Sequence, residues 1–183
     1  RCYRLKQRKR RYSVYRFEGV YMIDYHLAQI NIARFTRAKD HPVNQPFMDA
    51  LDPVNAHADS APGFIWRLVG EGNDAISIDV VPDDPQVAVN MSLWQDVDAL
   101  AAFVYRNGEH LAFMRRRREW FDHVAVFQAL WWVPAGHIPT VAEGMAKIDL
   151  LRDIGPSSDA FTFKRPFPAP DGRPAYPVLD ECA

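Results

Sequence analysis

Residues 87–94, VAVNMSLW, decide the fold. Their apolar and polar side chains alternate, with Val87, Val89, Met91 and Leu93 on one side and Ala88, Asn90, Ser92 and Trp94 on the other. A period of two is a strand, and a strand with two different faces belongs to a sheet whose sides meet different surroundings. One side is ordinary core; the other must line something polar.

Working outward, residues 64–69 (FIWRLV) and 75–81 (AISIDVV) read as two further extended runs, joined by the turn formers of 70–74 into a hairpin. Upstream, YHLAQINIARF at 25–35 places Ala28, Ile30 and Ile32 against Tyr25, Leu27, Gln29 and Asn31. Between them, residues 41–61 hold one or two short helices, because Phe47, Met48 and Leu51 fall at helical spacing while Pro46 and Pro53 restrict where a turn begins. Downstream, 96–121 reads as a helix with Ala99/Phe103 and Leu100/Val104 on its apolar stripe and a break or bend at Asn107-Gly108. HVAVFQALWWV at 123–133 is a strand, and its Trp131 and Trp132 point to opposite sides, at least one of them into the core. A last helix opens at the capping box Thr140-x-x-Glu143 and stops at Gly155-Pro156.

The order is that of an α+β, ferredoxin-like βαββαβ sheet covered by helices on one face, with an extra C-terminal helix. The bare face, carrying Asn90, Ser92 and Trp94, calls for a partner sheet or a ligand, hence a homodimer. Three segments follow: a basic leader at 1–21, one domain at 22–163, and a proline-rich tail at 164–183, extended or loosely packed. The leader carries eight Lys/Arg against Glu18 alone, and the favoured reading starts the folded product at Met22, ahead of a basic interaction arm or targeting segment and of a secretory signal. The remainder has 14 basic and 22 acidic residues, a balance that repels nucleic acid. No long uncharged apolar run suggests a membrane span. Cys2 and Cys182 sit at opposite ends and read as incidental thiols of a reducing, cytoplasmic protein.

The segments PGFIWRL (62–68), VNMSLWQDVDALAAFVYR (89–106), HLAFMRRRREWF (110–121), LWWVPAGHIPT (130–140) and GPSSDAFTF (155–163) together resemble the uncharacterised domain-of-unknown-function family 3291. That family looks like a relative of the dimeric α/β-barrel superfamily of antibiotic-biosynthesis-type monooxygenases, haem-degrading enzymes and chlorite dismutases. The resemblance implies two paired ferredoxin-like sheets and says little about chemistry, since these folds share few reactions. Haem-degrading relatives use an Asn, a Trp and a His; here His110 matches the His, while Leu100, Phe103 and Tyr105 stand where the Trp would be, so no cofactor is expected.

From the residues themselves, His110 is the candidate proton carrier, an imidazole on a helical face with Phe113, Met114 and Arg117. Asn90, Ser92 and Trp94 offer an amide, a hydroxyl and an aromatic wall to a small-molecule ligand, with Gln29, Asn31, Trp66 and Tyr105 as further lining. Of the run Arg115–Arg118 only Arg117 shares the inward face and is placed to pair with an anion or a carboxylate. The other histidines lack metal-ligand spacing, His57-x-Asp59 being a weak exception, and no phosphate loop, dinucleotide fingerprint or nucleophile elbow occurs. The expected function is a cofactor-independent, monooxygenase-like enzyme acting on a hydrophobic or aromatic substrate, or else a non-catalytic metabolite-binding or regulatory module.

Overall fold

The computed structural model describes residues 24–105 and 116–176, and the backbone of 16–17 and 20–21. A two-residue ladder, β1 (Arg16–Phe17) with β2 (Val20–Tyr21), precedes the main sheet. That sheet contains β3 (Tyr25–Arg34), β4 (Phe64–Arg67), β5 (Val87–Trp94) and β6 (Gln128–Pro134), ordered β4-β5-β3-β6 with every pairing antiparallel. The first and third of these four strands lie in the middle, which is the ferredoxin-like arrangement of an α+β domain. Among the described residues three helices accompany them: α1 (Gln45–Ser60) between β3 and β4, α2 (Val97–Tyr105) after β5, and α3 (Val141–Ile154) after β6.

The register explains the two faces. Opposed residues of an antiparallel pair share a face. Ala28 lies opposite Leu93 and Trp131, Ile30 opposite Met91 and Ala129, and Ile32 opposite Val89, a side that is apolar between His26 and Arg34 at the two ends of β3. On the other side Gln29 faces Ser92, and Asn31 faces both Asn90 and Gln128, so a polar row crosses three adjacent strands.

Both faces are covered. Helices α1 and α2 take the polar-row side, where Leu27 and Trp94 pack with Val97 and Leu100 of α2 and Phe47 of α1 meets Phe35. The extra helix takes the opposite side. A Cβ on Gly144 would stand 2.6 Å from Ile30 Cδ1 and 3.1 Å from Met91 Sδ, so α3 lies close on β3 and β5, and any larger residue there would have to displace those side-chain ends. Along with α3, the chain after β4 lays Leu68, Ile78, Val80 and Val81 on that face, and its inward residues on β3, β5 and β6 are at most 7% exposed. The side bearing Asn90, Ser92 and Trp94, expected to be bare, thus lies under α1 and α2.

Several segments depart from the alternation. Residues 75–81 form no strand, and β4 pairs with β5 rather than in a hairpin with them. The Gly70 N–H donates to Asp74 O and Ser77 Oγ accepts from Glu71 N–H, which coils the segment so that its apolar side chains dock while its backbone pairs with no strand. α1 is a single helix through Pro53, whose exposed position confines the lost hydrogen bond to the solvent side. The helix expected to reach 121 has ended by Arg116: Arg117–Glu119 is a 3-10 turn, and Trp120 O and Asp122 N–H pair with Thr36 N–H and Arg34 O. Those groups extend the β3 edge and cannot also serve a helix. Strand β6 accordingly starts at Gln128, five residues later than the pattern suggests. The tail is not loose as far as Tyr176: Phe167 packs with the α2-side core, Trp132 Nε1 donates to Phe167 O at 2.9 Å, and Ala169 is buried.

The expected start and stop of α3 are both present. Thr140 Oγ1 accepts the Glu143 N–H at 3.1 Å, and Gly155 closes the helix at φ +74. Glu143 ties helix to sheet, since Oε1 accepts the Trp131 indole N–H at 3.0 Å and Oε2 lies 2.8 Å from His137 Nε2. Burial acts to raise the Glu143 pKa, but the hydrogen bonds from His137 and Trp131 and the charges of His137 and Lys147 outweigh it and hold the carboxyl below its ordinary 4.5. A carboxylate with a depressed folded pKa contributes stability that is complete above the unfolded value and lost as pH falls through the folded one. Glu143→Gln should therefore lower the melting temperature at neutral pH and flatten its decline below pH 4.5. Melts at several pH values check this, and an acid limb as steep as in the parent would show that Glu143 carries no such coupling.

Candidate functional site

The space between the sheet and α1 originates in two small residues. Ala33 and Ala88 are direct cross-strand partners on the polar-row side, and they leave the floor shallow beneath Phe47, Leu51 and Val54 of α1. The result is a cavity of about 580 Å³, with Ile76 and Phe121 also in its wall. Its size falls within the range of about 300–1,000 Å³ typical of small-molecule sites. A second, smaller chamber of about 140 Å³ continues along the same face under α2, lined by Gln29, Ser92, Trp94, Phe103 and Tyr105. Six residues border both chambers: Asn31, Val54, Asn55, Asn90, Arg117 and Phe127. They form a waist that is more polar than either end.

The polar groups near the waist are arranged in a definite order. Trp94, held edge-on by Phe64 and stacked on Phe103, donates its Nε1–H to Ser92 Oγ at 2.9 Å. Ser92 Oγ in turn donates to Gln29 Oε1 at 2.8 Å. That leaves Gln29 Nε2 with no acceptor among the described residues, although Gln29 is only 3% exposed. Asn31 Oδ1, two residues along, is buried and equally without a donor. Each unsatisfied buried atom costs about 1–3 kcal/mol, so two on one face are a substantial concession unless a ligand meets them. Asn90 is the single exposed residue of an otherwise buried central strand, which marks the waist as open to solvent.

Charge is unevenly spread. The Arg117 guanidinium sits 5.4 Å from the centre of the Phe127 ring and pairs with no carboxylate among the described residues. In the larger chamber Asp122 is committed to Arg34 at 2.8 Å, and Asp74 Oδ1 accepts the Ile76 N–H. Asn55 spends its Nδ2 on Asn73 O. Among the described residues no three His, Cys, Asp or Glu side chains gather as a metal set; His57 stacks on Phe103, and Asp59 pairs with Arg67.

The structure thus brings Gln29, Asn31, Asn90, Ser92, Trp94, Tyr105 and Arg117 around one connected space. Trp66 is the correction. A bulge between Phe64 and Trp66 shifts the register of β4 by one, so Phe64 and Arg67 face the smaller chamber while the Trp66 indole packs on the α3 side. His110 lies outside the described residues. The α1 face Phe47, Leu51, Val54 and the return segment Phe121–Phe127 escape motif reading; the only signal was the helical spacing of apolar residues in 47–54, which a core helix shows equally.

No curated protein matches the chain. Among solved structures it is similar to SnoaB, a cofactor-independent oxygenase from Streptomyces nogalater, at 15% identity over 62% of this chain and 95% of that one, with a TM-score of 0.40. A conserved protein from Methanosarcina mazei Go1 is 13% identical over 61% of this chain and 92% of that one, with a TM-score of 0.42. Neither supplies a function for this chain. Among the described residues no helix is long and apolar enough to cross a membrane. A family model described as "Domain of unknown function (DUF3291)" matches residues 26–176, nearly the whole of the sheet, its helices and the packed tail, and the chain belongs to that family.

Proposed function

We propose that the chain is a cytoplasmic small-molecule-binding protein whose ligand is a hydrophobic or aromatic molecule held between the sheet and α1. The observation that carries this reading is the 580 Å³ cavity with an apolar lining and, at its waist and in the adjoining smaller chamber, two buried polar atoms, Asn31 Oδ1 and Gln29 Nε2, that no described residue satisfies. Its catalytic form is a cofactor-independent, monooxygenase-like oxidation of that molecule, with His110 as proton carrier; its other form is a non-catalytic metabolite-binding module.

Native mass spectrometry of freshly purified protein tests the binding. The expected result is a retained small molecule, released on denaturation; a bare chain mass together with no heat on titration with apolar probes overturns it. Incubation of the recovered ligand with the protein under air separates the two forms. For the catalytic form, His110→Ala lowers turnover by about a hundredfold, the scale of a lost general acid or base, with the melting temperature unchanged. Ligand retained but never consumed supports the binding module.

A further inference from the structure

We infer that the ligand is an amphipathic anion, a carboxylic acid in the simplest case, whose charged head sits at the waist between Arg117 and the Gln29 amide and whose apolar body fills the larger chamber. This rests on the small-molecule reading above and adds the class of ligand.

Three observations converge. Of the other arginines at the two chambers or their rims, Arg67, which lines the smaller chamber, is neutralised by Asp59 at 2.8 Å and Arg34 by Asp84 and Asp122, each at 2.8 Å, while Arg118 borders only the larger chamber and is exposed to solvent. Arg117 has an aromatic ring beneath it and no carboxylate among the described residues, yet it borders both chambers. A half-buried cation beside apolar surface is best served by a counter-ion that arrives with the ligand. Second, the Trp94–Ser92–Gln29 relay uses up the Gln29 oxygen and leaves only its Nε2 hydrogens to offer, so the Gln29 amide at the smaller chamber asks for an acceptor. Third, the remaining polar side chains at the waist are neutral amides, and the carboxylates of Asp74 and Asp122 line the larger chamber away from it.

Alternative heads fail on these groups. A cationic head meets Arg117 with repulsion. A neutral carbonyl satisfies Gln29 and leaves Arg117 without a counter-ion. Asn31, whose oxygen has no donor, accommodates either a hydroxyl beside the carboxylate or, with its amide turned over, the carboxylate itself.

The test uses matched pairs that differ only at the head: decanoate against 1-decanol, and 2-naphthoate against 2-naphthylmethanol, titrated calorimetrically into the full chain after removal of any retained ligand. In at least one pair the carboxylate should bind about tenfold tighter or more than the alcohol, as a charge-assisted hydrogen-bonded pair implies. Arg117→Gln should erase that preference while leaving alcohol affinity and melting temperature in place. Gln29→Glu, which puts a fixed carboxylate where the head sits, should likewise lose the acid and keep the alcohol. Alcohols that bind as well as acids overturn the anionic head and leave the cavity reading intact. A preference that survives Arg117→Gln overturns the assignment to Arg117. If neither member of either pair binds, the small-molecule reading falls with it.

Discussion

Trp131→Ala should destabilise the chain by about 3–5 kcal/mol, the cost of truncating a large buried aromatic. Trp131 is 2% exposed, packed into the core between the sheet's apolar face and α3, and its indole N–H is one of the bonds that hold the Glu143 carboxylate. Truncation leaves a void under α3 and removes one of the partners of that carboxylate. For a domain whose net stability is about 5–15 kcal/mol, such a loss is a large share of the whole. Trp132→Ala should cost less, since Trp132 is half-buried and packs against Phe161 and the tail rather than between sheet and helix. Urea unfolding followed by circular dichroism measures both. A loss below about 1 kcal/mol for Trp131→Ala would place it with ordinary surface changes and would mean that α3 is not anchored there.

The contrast between the two tryptophans shows what the sequence makes legible. Alternation assigns every residue of β3 and β5 to its correct side, because the period of two is a property of the extended chain itself. Gln29, Asn31, Asn90 and Ser92 are therefore readable as one polar face before any partner strand is known. What alternation does not contain is who pairs with whom. Residues 75–81 have the β-branched, alternating look of a strand and are a packed loop, since a loop that docks Ile78, Val80 and Val81 on a core needs the same apolar side chains. Trp66 lands on the wrong side because a single bulge reverses the facing of everything beyond it.

The covering of the sheet is unreadable for a related reason. Gly144 in the middle of a helix looks like a weak position, costing about 1 kcal/mol against alanine. Only its distance from Ile30 and Met91 shows that it lets α3 lie close against the apolar face of the sheet. The larger chamber is likewise a consequence of register: Ala33 and Ala88 are unremarkable small residues until they are found opposite one another under α1. A cavity is the absence of side-chain volume at matched positions, and a linear sequence does not align those positions.

Val54→Trp should abolish high-affinity binding of an apolar ligand, by about a hundredfold, with little change in stability. Val54 is half-buried on the face of α1 that overhangs the waist and borders both chambers. An indole there extends into empty space, so the strain of about 1–3 kcal/mol that accompanies overpacking of a filled core is avoided. Any ligand body that crosses the waist must then withdraw from one chamber. At about 0.8 kcal/mol for each methylene returned to water, expelling three or four of them accounts for the expected hundredfold, which is about 2.7 kcal/mol. Asp52→Ala, on the exposed side of the same helix, serves as the control that alters α1 without entering the cavity. Calorimetric titration with decanoate beside a thermal melt gives both quantities. Undiminished affinity in a normally folded Val54→Trp protein would move the ligand out of this space altogether, whereas lost affinity with a preserved melt ties binding to the waist that Arg117 and Asn31 share.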